Sequence, residues 1–216
     1  MQIRAAAGPS GLSTTTEASA ADEVFANAEA LICSRRNVSP KRLLAPGPSA
    51  AQLQSLLALA AAAPDHGQLT PWRFIVVPAA QRHRLAEVFA QALIDRDPDG
   101  ASAAQVQAAR DKAHRAPLLL VAVARLGQRD PDISTLERMV SMGAAIQNLL
   151  LGAHALGFGA GLTSGQAMGS PRLRALLGLA DGETAVCCVN VGTIGQHKSG
   201  PHARPQPADF VSELGS

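Results

Sequence analysis

Between Met139 and Leu162 the chain carries no charged residue; five glycines, Gln147, Asn148 and His154 interrupt an otherwise largely apolar run. Ser134 and Glu137 stand just ahead of it at the spacing of a capping box, and Gly157 stands where a helix C′ residue belongs. The run predicts a helix over 135–156 that is hydrophobic nearly all round, and such a helix must be buried on most sides. A bilayer would bury it too, but lipid would leave its polar side chains unpaired. The expectation is the central helix of a globular protein. With 216 residues, 47% of them hydrophobic and 17% charged, the chain can build one sizeable core and reads as a single domain over 21–216.

The other elements follow from apolar spacing and punctuation. Val24, Phe25, Ala28, Leu31 and Ile32 recur on one face of a helix over 21–35. Ser49 and Gln52 form a second capping box and open a helix that cannot pass Pro64; Leu53, Leu56, Leu57 and Ala60 are its buried stripe. Residues 73–78 read as a strand and 79–95 as a helix with Leu85, Val88, Phe89 and Ala92 inward. A more polar helix is expected over 101–113. Leu118 to Ala124 is an unbroken apolar run, expected as a central strand. A short strand is expected at 159–163 and another at 186–191. Between them Ser170 and Pro171 open a short helix that ends at Gly178. Helices outnumber strands, which gives a two- or three-layer α+β or α/β sandwich and leaves strand order open. Residues 1–20 read as a disordered arm. The proline-rich stretch 196–216 reads as an extended arm with only Phe210 and Val211 as apolar anchors; its Lys198 and Arg204 could reach a phosphate, but a solvated tail is the expectation.

Several function classes lose support at this stage. A formal net charge of +2 argues for no nucleic-acid partner. Cys187 and Cys188 are adjacent on an expected strand and point to opposite faces, so neither a shared metal nor a vicinal disulfide is expected, and the usage suits a reducing cytoplasm. The scattered histidines lack zinc-ligand spacing. There is no P-loop and no nucleophile elbow. The Gly157, Gly159, Gly161 series follows a helix, whereas a dinucleotide fingerprint follows a strand.

The polar turn from Ala63 to Trp72 lies between two rigid elements, where binding groups can be placed accurately. Pro71 and Trp72 read as packing residues and Asp65 as a turn-former. Arg35 and Arg36, at the end of the first helix, either complement its negative pole or clamp a phosphate with guanidinium forks. His66 is either a surface residue or a ligand-binding imidazole.

Four motifs occur together and in order: Cys33-Ser34-Arg35-Arg36-Asn37, the turn Ala63-Pro64-Asp65-His66 with Pro71-Trp72, Ser141-Met142-Gly143-Ala144-Ala145-Ile146-Gln147-Asn148, and Gly157-Phe158-Gly159. In this the chain resembles the FMN-dependent nitroreductase family, and within it the short members that carry an Ala-Pro-Asp-His turn. The resemblance spans about residues 22–212. It implies a three-layer sandwich with a mainly antiparallel sheet, assembled as a homodimer with FMN at the subunit interface. It implies that Arg35, Arg36 and Asn37 meet the flavin phosphate, with Lys41 or Arg42 making good a base that Ser39 replaces. By the same resemblance Ala62, His66, Leu162, Thr163 and Ser164 line the flavin. The helix end Gly152, Ala153, His154, Ala155, Leu156 and Gly157 would meet NAD(P)H. Relatives place other residues at Ala62, Thr70, Leu162 and Thr163, which changes the pocket. The activity implied is hydride transfer from NAD(P)H to nitroaromatic, quinone-like or similar electrophilic acceptors. A flavin-binding or storage protein, and a specialised dehydrogenase or flavin-processing relative of the same fold, are the alternatives.

Overall fold

A computed structural model describes residues 14–127, 130–196 and 204–215, with side chains from residue 19 onward. Among the described residues six α-helices and five strands follow one another in the order α1 (Thr14–Ser34), β1 (Leu43–Leu44), α2 (Ala50–Ala61), β2 (Trp72–Val76), α3 (Arg82–Arg96), α4 (Ala103–Asp111), β3 (Leu118–Arg125), α5 (Thr135–Ala155), β4 (Gly159–Thr163), α6 (Pro171–Leu177) and β5 (Glu183–Ile194). Every pairing between these strands is antiparallel. β5 pairs with β3, β4 and β1, and β2 pairs with β3.

The period-2 alternation of β3 builds both sides of the molecule at once. Leu118, Leu120, Ala122 and Ala124 face α2 and α5, with Met142, Ala145, Leu149 and Leu56. Leu119, Val121 and Val123 face α3, α4 and α6, with Leu85, Phe89, Ala109 and Leu173. Cys187 joins the first cluster and Cys188 the second, as their adjacency on a strand requires. The result is the three-layer sandwich with a central antiparallel sheet. The expected capping boxes at Ser49–Gln52 and Ser134–Glu137 are both formed. Gly178 takes the left-handed conformation that ends α6. α2 and α5 cross closely because residue 152 has no side chain: a Cβ there would lie 2.5 Å from Leu59 Cδ1.

At four points the structure departs from the expectations or adds to them. The arm expected over 1–20 lies outside the described residues up to residue 13, and from Thr14 the chain is already helical. β5 is longer than its apolar run, because Glu183 at its start is gripped by Arg73 Nε and Nη2 from β2, both at 2.7 Å. That bidentate pair holds the Glu183 carboxyl down to about 2, and Arg125 of β3, with Nε 3.5 Å from Glu183 Oε1, brings in a third strand. The two-residue β1 had no apolar alternation to announce it. Finally, the apolar face of α1 is not buried in the single chain: Val24 and Phe25 are each 69% exposed. α5 likewise leaves one stripe open, with Leu136 78% and Val140 71% exposed. α1 meets α5, and among the described residues no second layer lies beyond it. Among the described residues no helix is long and apolar enough to cross a membrane.

Candidate functional site

Just past α1, Val38 N–H donates to the Ala160 carbonyl at 2.9 Å, and Asn37 forms a parallel bridge to Ala160. The segment 35–39 thus lies against the outer edge of β4. It can do so because residue 161 is glycine: a Cβ there would overlap the Val38 carbonyl oxygen. On one side of this segment is a cleft of about 250 Å³, lined by Arg35, Arg36, Asn37, Arg42, His154 and Phe158 among others. Arg35 is partly exposed, yet its Nε is buried and has no hydrogen-bond partner. An orphaned guanidinium N–H is costly unless something accepts from it. Arg204 arrives from the C-terminal arm and donates through Nη2 to the carbonyls of Cys33, at 2.9 Å, and Arg35, at 3.1 Å. This corrects the reading of that arm as merely solvated here. Arg42, not Lys41, lines the cleft, and Lys198 lies outside the described residues.

On the other side of the same segment, Pro40 borders a larger cavity of about 540 Å³. Thr163 and Ser164, at the end of β4, form one wall, and apolar side chains of α3 and α4 form the floor. Thr163 Oγ1 accepts from Asn190 Nδ2 at 3.1 Å, and Ser164 Oγ donates to the Val186 carbonyl at 2.9 Å. Both hydroxyls are therefore held in place. Arg96, Lys112 and Arg115 are the charged lining groups, and no carboxylate accompanies them. Burial pushes the Cys188 thiol in this cavity up to about 12, so it is no nucleophile at neutral pH. Leu162 leaves β4 on the opposite face from Thr163 and is 40% exposed.

The turn after α2 is the third location. Ala62 is the exposed C-cap residue of α2. Asp65 Oδ2 accepts from Thr70 N–H at 2.6 Å, which makes Asp65 the expected turn-former; its Oδ1 is buried without a partner. Gly67, Gln68 and Thr70 have φ of 69°, 52° and 46°. Left-handed backbone at Gln68 and Thr70 costs about 1–3 kcal/mol at each residue and persists where the surroundings enforce it, often at ligand clamps. His66 Nδ1 lies 2.9 Å from Glu137 Oε2, at the start of α5. The imidazole, and then the Ser134 cap, hold the Glu137 carboxyl below its usual range. Trp72 is buried in the core, in a packing role.

Within one chain these three locations do not form a single site. The 250 Å³ cleft contains His154, near the C-terminus of α5, whereas His66 touches Glu137 in its first turn. Seventeen residues of helix separate Glu137 from His154, about 25 Å at 1.5 Å per residue. The two clefts flanking Pro40 are neighbours; the His66 turn is remote from the one that holds Arg35 and His154. Of the helix end expected to meet NAD(P)H, Gly152 and Ala153 are buried against α2 and the core and offer no side-chain surface. His154 Nε2 sits 2.8 Å from Ser34 Oγ, and Ala155, Leu156 and Gly157 are exposed.

The sequence of these elements matches the nitroreductase family over residues 20–193, and the chain belongs to that family. A relative from Haemophilus influenzae named "Putative NAD(P)H nitroreductase" is 32% identical over 177 residues, covering 82% of this chain and 94% of its own. Among solved structures, a nitroreductase-like family protein from Bacillus cereus superposes with a TM-score of 0.74 at 21% identity, covering 87% of this chain and 95% of its own. An FMN-dependent nitroreductase from Clostridium difficile gives 0.59 at 19%, covering 85% and 97%. These two likenesses establish the fold, which is a nitroreductase-type α+β sandwich.

Proposed function

We propose that this protein is an FMN-dependent NAD(P)H oxidoreductase that reduces nitroaromatic, quinone-like or related electrophilic acceptors. The observation that carries the reading is the buried, unpartnered Nε of Arg35, beside a β4 edge that only glycine at 161 allows the chain to approach. A phosphate is the group that guanidinium forks grip best. Arg35 and Arg42 would hold it from one side, Asn37 would donate from its amide, and Arg204 would add charge near the end of α1. Arg36 is exposed and would contribute mainly through its field. From that anchor a mononucleotide can run along the segment 37–40 into the 540 Å³ cavity, where the Thr163 and Ser164 side chains and the apolar floor would meet its ring system. Lys112 and Arg115 place positive charge on that cavity, which favours electron-rich forms of a bound ring. Bound there, the flavin supplies two-electron hydride chemistry, with donor and acceptor taking turns in one slot. The chain's part is placement, exclusion of water and charge tuning.

The remote His66 turn joins the site if two chains pack about a two-fold axis. The open apolar faces of α1 and α5 are the surfaces available for such a homodimer. In it, the partner subunit's His66 and the partner subunit's Ala62 would close the cleft over the flavin. The exposed end of α5 from His154 to Gly157, together with Leu162, would then border the slot where NAD(P)H enters. The three cysteines are free, which suits a reducing cytoplasm.

Purified protein, loaded with FMN and kept under nitrogen, is expected to lose its yellow colour on addition of NADH or NADPH and to regain it on addition of a quinone. Protein that stays yellow would be a flavin binder without turnover, and protein that takes up no FMN would overturn the reading altogether.

A further inference from the structure

We infer that His66 and Glu137 act as a pair that delivers the proton completing acceptor reduction, with Glu137 as the positioning residue; the inference rests on the flavin reading above. Glu137 is committed on both oxygens. Its Oε1 accepts from Ser134 N–H at 3.1 Å and Ser134 Oγ at 2.9 Å, which pins the carboxylate to the first turn of α5. Its Oε2 is then aimed at His66 Nδ1, at 2.9 Å. An ionised carboxylate can only accept, so Nδ1 carries the hydrogen and Nε2 is the ring atom left to exchange a proton. The backbone fixes the ring as well. Gly67 is left-handed at 69°, and a Cβ there would lie 2.6 Å from Ile133 Cδ1, so the turn is seated on the segment that leads into α5. The His66 side chain is 69% exposed, which leaves Nε2 open to a second subunit and to solvent.

The need for such a group follows from the atom balance. Reduction of a quinone by NAD(P)H breaks the nicotinamide C–H bond and brings the acceptor two electrons and one hydrogen. One further proton must form the second O–H bond. With His66 protonated, the Nε2–H bond breaks as that O–H bond forms. The ring becomes a neutral imidazole that keeps its Nδ1–H on Glu137, and water restores the Nε2 proton. A surface ion pair would also place an imidazole beside a carboxylate. It would not require a cap-pinned carboxylate or a turn with three left-handed residues.

The test compares, per bound flavin, turnover with a quinone, which consumes a proton, against turnover with ferricyanide, which takes electrons alone. His66→Gln is expected to lower the quinone-to-ferricyanide ratio by about 10²-fold, the scale of general acid catalysis. Glu137→Gln keeps a residue that can serve the capping box and is expected to lower the ratio by about tenfold. Nitrogen-15 NMR of the flavin-free protein is expected to show the Nδ1–H tautomer of His66 in the wild type and a tautomer mixture in Glu137→Gln. A ratio that stays at the wild-type value in His66→Gln overturns the proton role while leaving the flavin reading intact. Failure of the wild type to bind FMN overturns both.

Discussion

Arg35→Ala is expected to weaken FMN binding by one to two orders of magnitude, read by titrating flavin-free protein and following quenching of flavin fluorescence. A charge-assisted hydrogen bond contributes about 1.5–3 kcal/mol, and each 1.4 kcal/mol is tenfold in affinity. The residue is singled out by its buried and unanswered Nε, whereas the neighbouring Arg36 is exposed. Arg36→Ala should therefore cost much less. The fold should survive the Arg35 change, because none of the hydrogen bonds that hold the segment 35–39 to β4 uses that side chain; they run through the backbone of Val38. An Arg35→Ala protein with wild-type affinity for FMN would remove the phosphate clamp from this account.

Gly161→Ala is expected to destabilise the protein and empty the site together. The added methyl would overlap the Val38 carbonyl oxygen and lie 3.1 Å from Asn37 Oδ1. β4 cannot retreat, since Gly161 is held in register opposite Asn190 of β5 and the strand ends carry the walls of both clefts. The segment 37–39 must move off the edge instead. Overpacking of this kind costs about 1–3 kcal/mol and lowers Tm by several degrees in a domain of this size. Because the displaced segment is the one that presents Arg35 and Asn37, flavin retention should fall with Tm. An unchanged Tm with full flavin content would mean that the segment is not held as described.

The fold was legible where burial alone decides structure. β3 is apolar at every position from Leu118 to Ala124 because both its faces are covered, and β4 falls at Gly159–Thr163 as expected. Caps at Ser49, Ser134 and Ser170 could be read because each rests on local side-chain chemistry within three residues. What covers the apolar face of α1 was not legible, for an instructive reason. Its periodicity reports that something must cover Phe25 and Val24, and periodicity cannot distinguish a cover from the same chain from one supplied by another molecule. The site was legible as a set of residues and not as a place. Spacing along the chain puts Arg35, His66 and Thr163 into one motif series, whereas α5 holds the His66 turn and the Arg35 cleft at opposite ends. Arg204 was visible only as one cation in a proline-rich arm, for which a solvated tail was the expectation. Glu137 was legible only as a cap, because its second oxygen meets His66 across 71 residues of sequence.

The central claim is that each flavin site is shared between two chains, Arg35 from one and His66 from the other. Co-expression of two defective chains, Arg35→Glu and His66→Asp, tests it most directly. Each variant alone is expected to bind no FMN at concentrations that saturate the wild type. In a random mixture half of the two-fold dimers pair one chain of each kind, and each of those has one intact site out of two. Flavin content is therefore expected to recover to about a quarter of wild type in the mixture. No recovery, or full flavin retention by His66→Asp on its own, would contradict a site built across the dimer.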